Sequence, residues 1–340
     1  MVDLTLLVPG LLGPDQYYAD DYVPQLPALE RMLACAEHEQ YAPQSFHRLL
    51  SELVGLELEA GKDVPVAAVT RLVDDNTLPQ GCWMRADPVH LRPDRDGLIL
   101  MDSFVLGLNQ HDALAIAAEI KKILPDYDMN LEVPSVDRWY VSLNHVPNIQ
   151  TTDLSMVVGR DINAYLPQGA DAKRFHSLFN QIQMQLHSCD INELRSQKSE
   201  LQINSVWFWG VGVLPDNPGQ LWSAIYSEDV FARGLAMLTD TPCRPPPADM
   251  DDLVAGFGKY KNNLLVLDHC LMPAQYQNLQ LWYEALLLLE KTWFMPLLSM
   301  LKWGKLKNLT LVTDTSEFNI NWLTLCKVWR KSKSIASYKE

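Results

Sequence analysis

Short apolar runs that end on a turn or a carboxylate set the pattern of this chain. Residues 4–8 are mostly apolar and stop at Pro9-Gly10, which predicts a first core strand leading into a loop. Residues 262–267 close on Asp268, and residues 309–313 close on Asp314. Apolar runs of this kind predict buried parallel strands that deliver a carboxylate at their carboxyl ends. The stretch 275–303 between them is long and apolar and predicts a helix. Strand, helix, strand with carboxylates on the strand ends is an α/β pattern.

Helices are also predicted over 26–33, 43–53 and 66–74, with Pro27 acceptable in a first turn. The character changes over 82–145. Residues 82–91 read as extended, 93–97 as a tight turn, and 98–101 as a strand pairing back. Residues 111–124 form a helical pattern with Leu114, Ile116, Ala117, Ile120 and Leu124 on one side, capped by Asn109 or Asp112. Two more strands are predicted at 131–133 and 138–143. The expected organisation is a smaller α/β domain, 82–149, inserted in a core of 1–81 and 150–327, followed by a basic tail, 328–340. In the second part of the core, 172–188 and 230–238 read as helices and 205–210 as a buried strand rich in Trp and Phe. Three consecutive prolines keep the loop 241–250 extended.

The chain has 340 residues, with 48% hydrophobic and 21% charged, so a full core is feasible. A net charge of −14 argues against a dedicated nucleic-acid binder. Lys327, Arg330, Lys331, Lys333 and Lys339 form a local basic cluster, read as a solvated, fraying end. The six cysteines include no CxxC pair, which fits a reducing compartment. The first residues lack a basic region followed by a long apolar one, so no signal peptide is expected. Glu284, Glu290, Lys291, Lys302 and Pro296 interrupt 279–303, which therefore reads as a buried amphipathic helix rather than a membrane span. The expectation is a cytoplasmic protein with neither nucleic acid nor membrane as partner.

The order of features resembles the archaeal-type cofactor-independent phosphoglycerate mutases of the alkaline phosphatase superfamily. Arg92-Pro93-Asp94-Arg95-Asp96-Gly97 and the strand ending at Asp102 are similar to that family's arginine, turn and Asp-ended strand. Ile162-Asn163-Ala164-Tyr165-Leu166-Pro167 resembles its Tyr-Leu-Pro segment. The most specific match is Asn204-Ser205-Val206-Trp207-Phe208-Trp209-Gly210-Val211-Gly212. Pro43-Gln44-Ser45 resembles the nucleophile turn, Pro-Gly-Ser. The likeness runs in order from about residue 4 to 315. More closely, the whole chain resembles a bacterial group called regulatory protein RpfE. The fold implied is an alkaline phosphatase-like core sheet flanked by helices, with the smaller inserted α/β domain.

What the resemblance implies for chemistry is a serine phosphate formed with two divalent cations. Ser45, Asp268 and Asp314 match that machinery. The family's first strand ends in Asp-Gly, where this chain has Pro9-Gly10. Its histidine four residues after Asp268 is Met272 here, its Asp-His pair is Asp314-Thr315, and its Pro-His-Asp segment is Thr151-Thr152-Asp153. Two carboxylates and a hydroxyl cannot hold two ions, although one Mg²⁺ or Mn²⁺ could sit weakly on Asp268 and Asp314. Ser45 is then either a vestigial nucleophile or the N-cap of the following helix. No other cofactor is expected.

Residues 83–92 add two arginines, a carboxylate and an imidazole. On an extended strand Arg85 and Asp87 face one way, and His90 and Arg92 the other. These groups form either an anion pocket, with Arg138 and Arg160 adding to it, or an ion pair bracing the smaller domain. His269 is an acid/base partner of Asp268 or a satisfied core group. The leading expectation is a degenerate, non-catalytic protein that binds an anionic small molecule or a regulatory protein. The alternative is an active metal-dependent phosphomutase or phosphoesterase rebuilt around Ser45, Asp268, His269 and Asp314.

Overall fold

The computed structural model describes residues 2–14, 24–95, 97–249 and 261–338. Packing divides the chain into two units, Met1–Gly55 with Pro218–Glu340, and Leu56–Asn217. The second unit is wider at both ends than the expected inserted domain, 82–149. The physical reason is that Val66–Asp74 and Ser205–Gly212 pack on the strand Cys82–Asp94 and belong with it.

The first unit holds a seven-stranded mixed sheet among the described residues. Its strands are β1 (Val2–Leu7), β2 (Glu37–Gln40), β8 (Ala224–Tyr226), β9 (Cys243–Arg244), β10 (Asn262–Val266), β11 (Leu306–Val312) and β12 (Ser316–Asn321). The spatial order is β2-β12-β11-β1-β10-β8-β9. β1, β8, β9, β10 and β11 are mutually parallel, whereas β12 runs antiparallel between β11 and β2, so the edge strand β2 again points the way the central strands do. Leu4, Leu6 and Leu7 are all buried, as expected of a central strand covered on both faces.

The apolar stretch is not one helix. It comprises Leu271–Gln275, Leu279–Leu289, a π turn Glu290–Phe294, and Met295–Lys302. Gln277 breaks it with a φ of 54°. The π turn aims Glu290 at the start of helix α1 (Pro27–Cys35). Its carboxylate accepts the Ala28 and Leu29 amides at 2.6 and 3.1 Å, satisfying donors that a helix start leaves open. Burial pushes the Glu290 pKa up, against those two amide bonds.

The basic tail does not fray up to residue 338. The Arg330 guanidinium donates to the Ala36 carbonyl at 2.9 Å, Ile335 is buried, and Tyr338 stands edge-on to His38 and Phe318.

The second unit carries an antiparallel sheet of β3 (Cys82–Asp94), β4 (Gly97–Met101), β5 (Met129–Glu132), β6 (Tyr140–Leu143) and β7 (Ser205–Gly212). Asp96, in the predicted turn, lies outside the described residues. The helix predicted over 111–124 spans Gln110–Ile120, and Asn109 caps it by accepting from the Asp112 amide. Asp112 has another role: it is buried and receives Arg195 Nη1 at 2.6 Å. Leu114 is 50% exposed and does not join the apolar face.

Candidate functional site

Register places the strand ends of the first unit in a row. Leu7 lies opposite both Val266 and Val312. Pro9, Asp268 and Asp314 each follow those residues at the same interval, so they stand side by side at the carboxyl edge of β1, β10 and β11. That edge is where open α/β sheets build their sites. The central position of the row is a proline, which supplies neither a side-chain donor nor a carboxylate.

Gly10 closes the row. Its amide donates to Asp314 Oδ2 at 2.6 Å. Its φ is +73°, and a Cβ there would meet the Cys270 carbonyl oxygen at 2.6 Å. The Asp314 main chain also accepts the Gln44 amide at 2.9 Å, which brings the segment before Ser45 alongside. Ser45 Oγ accepts the Arg48 amide at 3.2 Å and N-caps helix α2 (Phe46–Leu53). Tyr41 donates to the Thr313 carbonyl at 2.7 Å. Burial, with Glu317 and Asp314 adding, raises its pKa well above the ordinary phenol value. Cys270 is buried behind the same edge. Burial pushes its thiol up to about 12, and Asp314 and Asp268 push the same way, so it stays protonated.

On the other side of β1, Asp268 and His269 are exposed and line a cleft of about 300 Å³. Ser227 and Glu228 come from the end of β8, and Pro246, Pro247 and Ala248 from the proline loop. Thr292 and Trp293 are presented by the π turn, an irregularity often found where a helix serves a site. Glu228 and Thr292 carried no sequence signal. Among the described residues, the charged side chains lining this cleft are Glu228 and Asp268, which suits a cationic or hydrogen-bonding surface better than a phosphate.

The arginines of residues 83–92 and 138 lie in the second unit. Arg85 donates from Nε to Asp87 Oδ1 at 2.9 Å, and its Nη2 lies 2.8 Å from Oδ2. Trp209 Nε1 donates to Asp87 Oδ2 at 2.8 Å, and the Trp139 amide donates to Oδ1 at 3.2 Å. Both charged groups are buried, and Arg85 sits between the rings of Tyr140 and Trp209. Burial works against the Arg85 charge, but Asp87 outweighs it and the guanidinium pKa stands above its usual value. Arg138 grips Asp74 through Nε and Nη2, both at 3.0 Å, and Tyr140 donates to the same carboxylate at 2.6 Å. Thus Arg85 and Arg138 are engaged by carboxylates instead of opening an anion pocket. His90 is bonded to the Gln202 carbonyl at 2.8 Å, and Arg92 is exposed.

Among the described residues, no group of three or more His, Cys, Asp or Glu side chains is placed to hold a metal ion. Asp314 gives an oxygen to Gly10, and Ser45 gives its own to Arg48. The residues in the row therefore do not fit a pair of divalent cations.

No family model matches this chain, and no curated protein matches it. Among solved structures it is similar to the PH0037 protein from Pyrococcus horikoshii, with a TM-score of 0.53 at 11% identity, covering 94% of this chain and 87% of that one. It also overlaps the cofactor-independent phosphoglycerate mutase from Thermoplasma acidophilum DSM 1728, with a TM-score of 0.45 at 13% identity, over 100% and 95% of the two chains. The first likeness shows a shared α/β fold and nothing of chemistry; the second overlap is too loose to add to it.

Proposed function

We propose that this chain is a degenerate relative of the alkaline phosphatase-like phosphomutases, working by binding a protein partner rather than by phosphoryl transfer. The observation that carries this reading is Pro9. It occupies the middle of the strand-end row, between Asp268 and Asp314, where the resembling family has a metal-binding aspartate. Without that carboxylate the hydroxyl of Ser45 has no cation to lower its pKa, and it serves as a helix cap. A protein partner is favoured over an anionic metabolite because Arg85 and Arg138 are already engaged, and because the cleft beside Asp268 is acidic.

The test is metal content after dialysis against Mn²⁺ or Zn²⁺, paired with phosphate transfer from 3-phosphoglycerate. We expect well under one tightly held ion per chain, and no turnover beyond that of Ser45→Ala. A pair of tight ions per chain together with phosphate on Ser45 would overturn the proposal and restore the enzyme.

A further inference from the structure

The opposite end of the first unit's sheet has another chemistry. β11 starts there and β12 ends there, since Asn308 pairs with Asn321. Trp303 caps the helix Met295–Lys302 just before β11, and a one-turn helix, Trp322–Leu325, starts as β12 finishes. The following segment returns to the same end. Arg31 donates to the Arg330 carbonyl at 2.8 Å, and Arg330 reaches Ala36, which precedes the start of β2 opposite Asn319.

Five large apolar side chains protrude from this end. Trp303 is 80% exposed, Val328 76%, Trp329 74%, Leu323 70% and Trp322 54%. A single exposed apolar residue is ordinary, but a group of them with three tryptophans marks an interaction surface. Residues lining a groove would be half-covered by its walls; four of these five are 70% exposed or more. Lys302, Lys305, Lys307, Lys331 and Lys333 surround them, exposed and in no ion pair among the described residues. Two carboxylates at this end are engaged: Asp3 receives Asn308 Nδ2 at 2.6 Å, and Glu37 lies 3.7 Å from Lys327 Nζ. In a chain of net charge −14, this basic face runs against the bulk.

We infer that this end docks on an anionic lipid surface. Tryptophan partitions to the boundary between headgroups and acyl chains, with its ring toward the apolar side and its N–H toward water. Leu323 and Val328 enter the same boundary. The lysines meet acidic headgroups, and each is worth about fivefold in partitioning. A nucleic acid would stack on the tryptophans but has no use for protruding aliphatic side chains. No helix of the described residues is long and apolar enough to cross a bilayer, so the contact is peripheral. The lack of a spanning segment excludes a helical transmembrane anchor among the described residues and leaves a peripheral surface of this kind open. The inference stands apart from the cleft at Asp268, which lies at the other end of the strands.

The test uses the full chain and sedimentation with vesicles of phosphatidylcholine, with and without phosphatidylserine. We expect pelleting with the acidic vesicles that falls as salt rises, and tryptophan emission quenched by brominated acyl chains. Lys331→Glu with Lys333→Glu lowers partitioning by more than about twentyfold. Trp322→Ser with Trp329→Ser weakens pelleting and leaves only the quenching that Trp303 gives. All four substitutions are at exposed positions, so thermal melts confirm that both variants remain folded. Absence of pelleting at low salt, or pelleting that survives both variants, would overturn the inference. So would self-association or retention of single-stranded RNA, lost in the same variants, in place of vesicle binding.

Discussion

Asp87 in the second unit and Asp268 in the first are both carboxylates on strands or strand ends, in opposite surroundings. Asp87 is 2% exposed and takes donors from Arg85, Trp139 and Trp209 on its two oxygens. Asp268 is exposed in an open cleft, and its side chain has no hydrogen-bond partner among the described residues. A buried charge persists only when its bonds are complete, and a complete set leaves nothing for a ligand. An exposed carboxylate costs little to keep and stays available. The arginine-rich strand, read from the sequence as either an anion pocket or a bracing ion pair, has its Arg85 engaged by Asp87 as the second of these readings expects. The strand-end row, which among the described residues gathers no metal-binding group, keeps the open surface.

The largest effect sharpens the buried half of this contrast. Asp87→Ala leaves the Arg85 guanidinium buried without its partner, and should cost about 3–5 kcal/mol in urea unfolding. Removing both charges, with Arg85→Met added, should recover most of that loss, because the penalty comes from the orphaned charge rather than from the pair. A loss below about 1 kcal/mol for Asp87→Ala would mean that water reaches Arg85 and that the brace is open to ligands after all.

Next in size is a pH effect at Asp63, also in the second unit. Its carboxylate accepts the Thr151 amide at 2.9 Å, the Thr151 hydroxyl, and the Val211 amide at 3.4 Å. Burial outweighs these bonds and pushes its pKa up to about 6. A carboxyl raised in the folded state binds its proton more tightly there than in the unfolded chain. Its contribution is therefore fully present below the unfolded pKa of about 3.9 and is lost as pH rises through the folded value. Wild type should lose about 2 kcal/mol relative to Asp63→Asn between about pH 4 and 7. Parallel stability profiles for the two proteins would place Asp63 with the exposed carboxylates.

Part of this was legible in the sequence. Helices Val66–Asp74 and Val230–Leu238 fall where their patterns put them, because Pro65 and Asp229 punctuate their starts. The ends of β10 and β11 were marked by Asp268 and Asp314, and parallel register then set them beside Pro9. The edge strand β2 was not legible: Glu-His-Glu-Gln is exposed throughout and is a strand only because β12 offers backbone partners. The pairing of Arg85 with Asp87 follows from their spacing along a strand, but its burial does not. That depends on Trp139 and Trp209, which come from distant positions in the chain. The walls of the cleft were hidden for the same reason, since Glu228, Thr292 and Trp293 converge only in the fold. The tail was misread because its charges hid Ile335 and Tyr338, whose contacts are tertiary.

The smallest effects sit in the strand-end row and test whether it is as idle as its hydrogen bonds indicate. Ser45→Ala removes the oxygen that accepts the Arg48 amide and should cost about 1 kcal/mol, as for other N-caps. Asp268→Ala removes an exposed carboxylate and should change stability by no more than about 0.5 kcal/mol in either direction. Differential scanning fluorimetry with and without Mn²⁺ separates the two roles these residues could have. A capping serine and an unengaged aspartate give the same small shifts in both conditions. A functioning metal site would stabilise wild type on adding Mn²⁺, through binding to the folded state alone, and both variants would forfeit that gain together. Coupled loss of a metal-dependent increment would erase the contrast between the two carboxylates, because Asp268 would then have a charged partner just as Asp87 does.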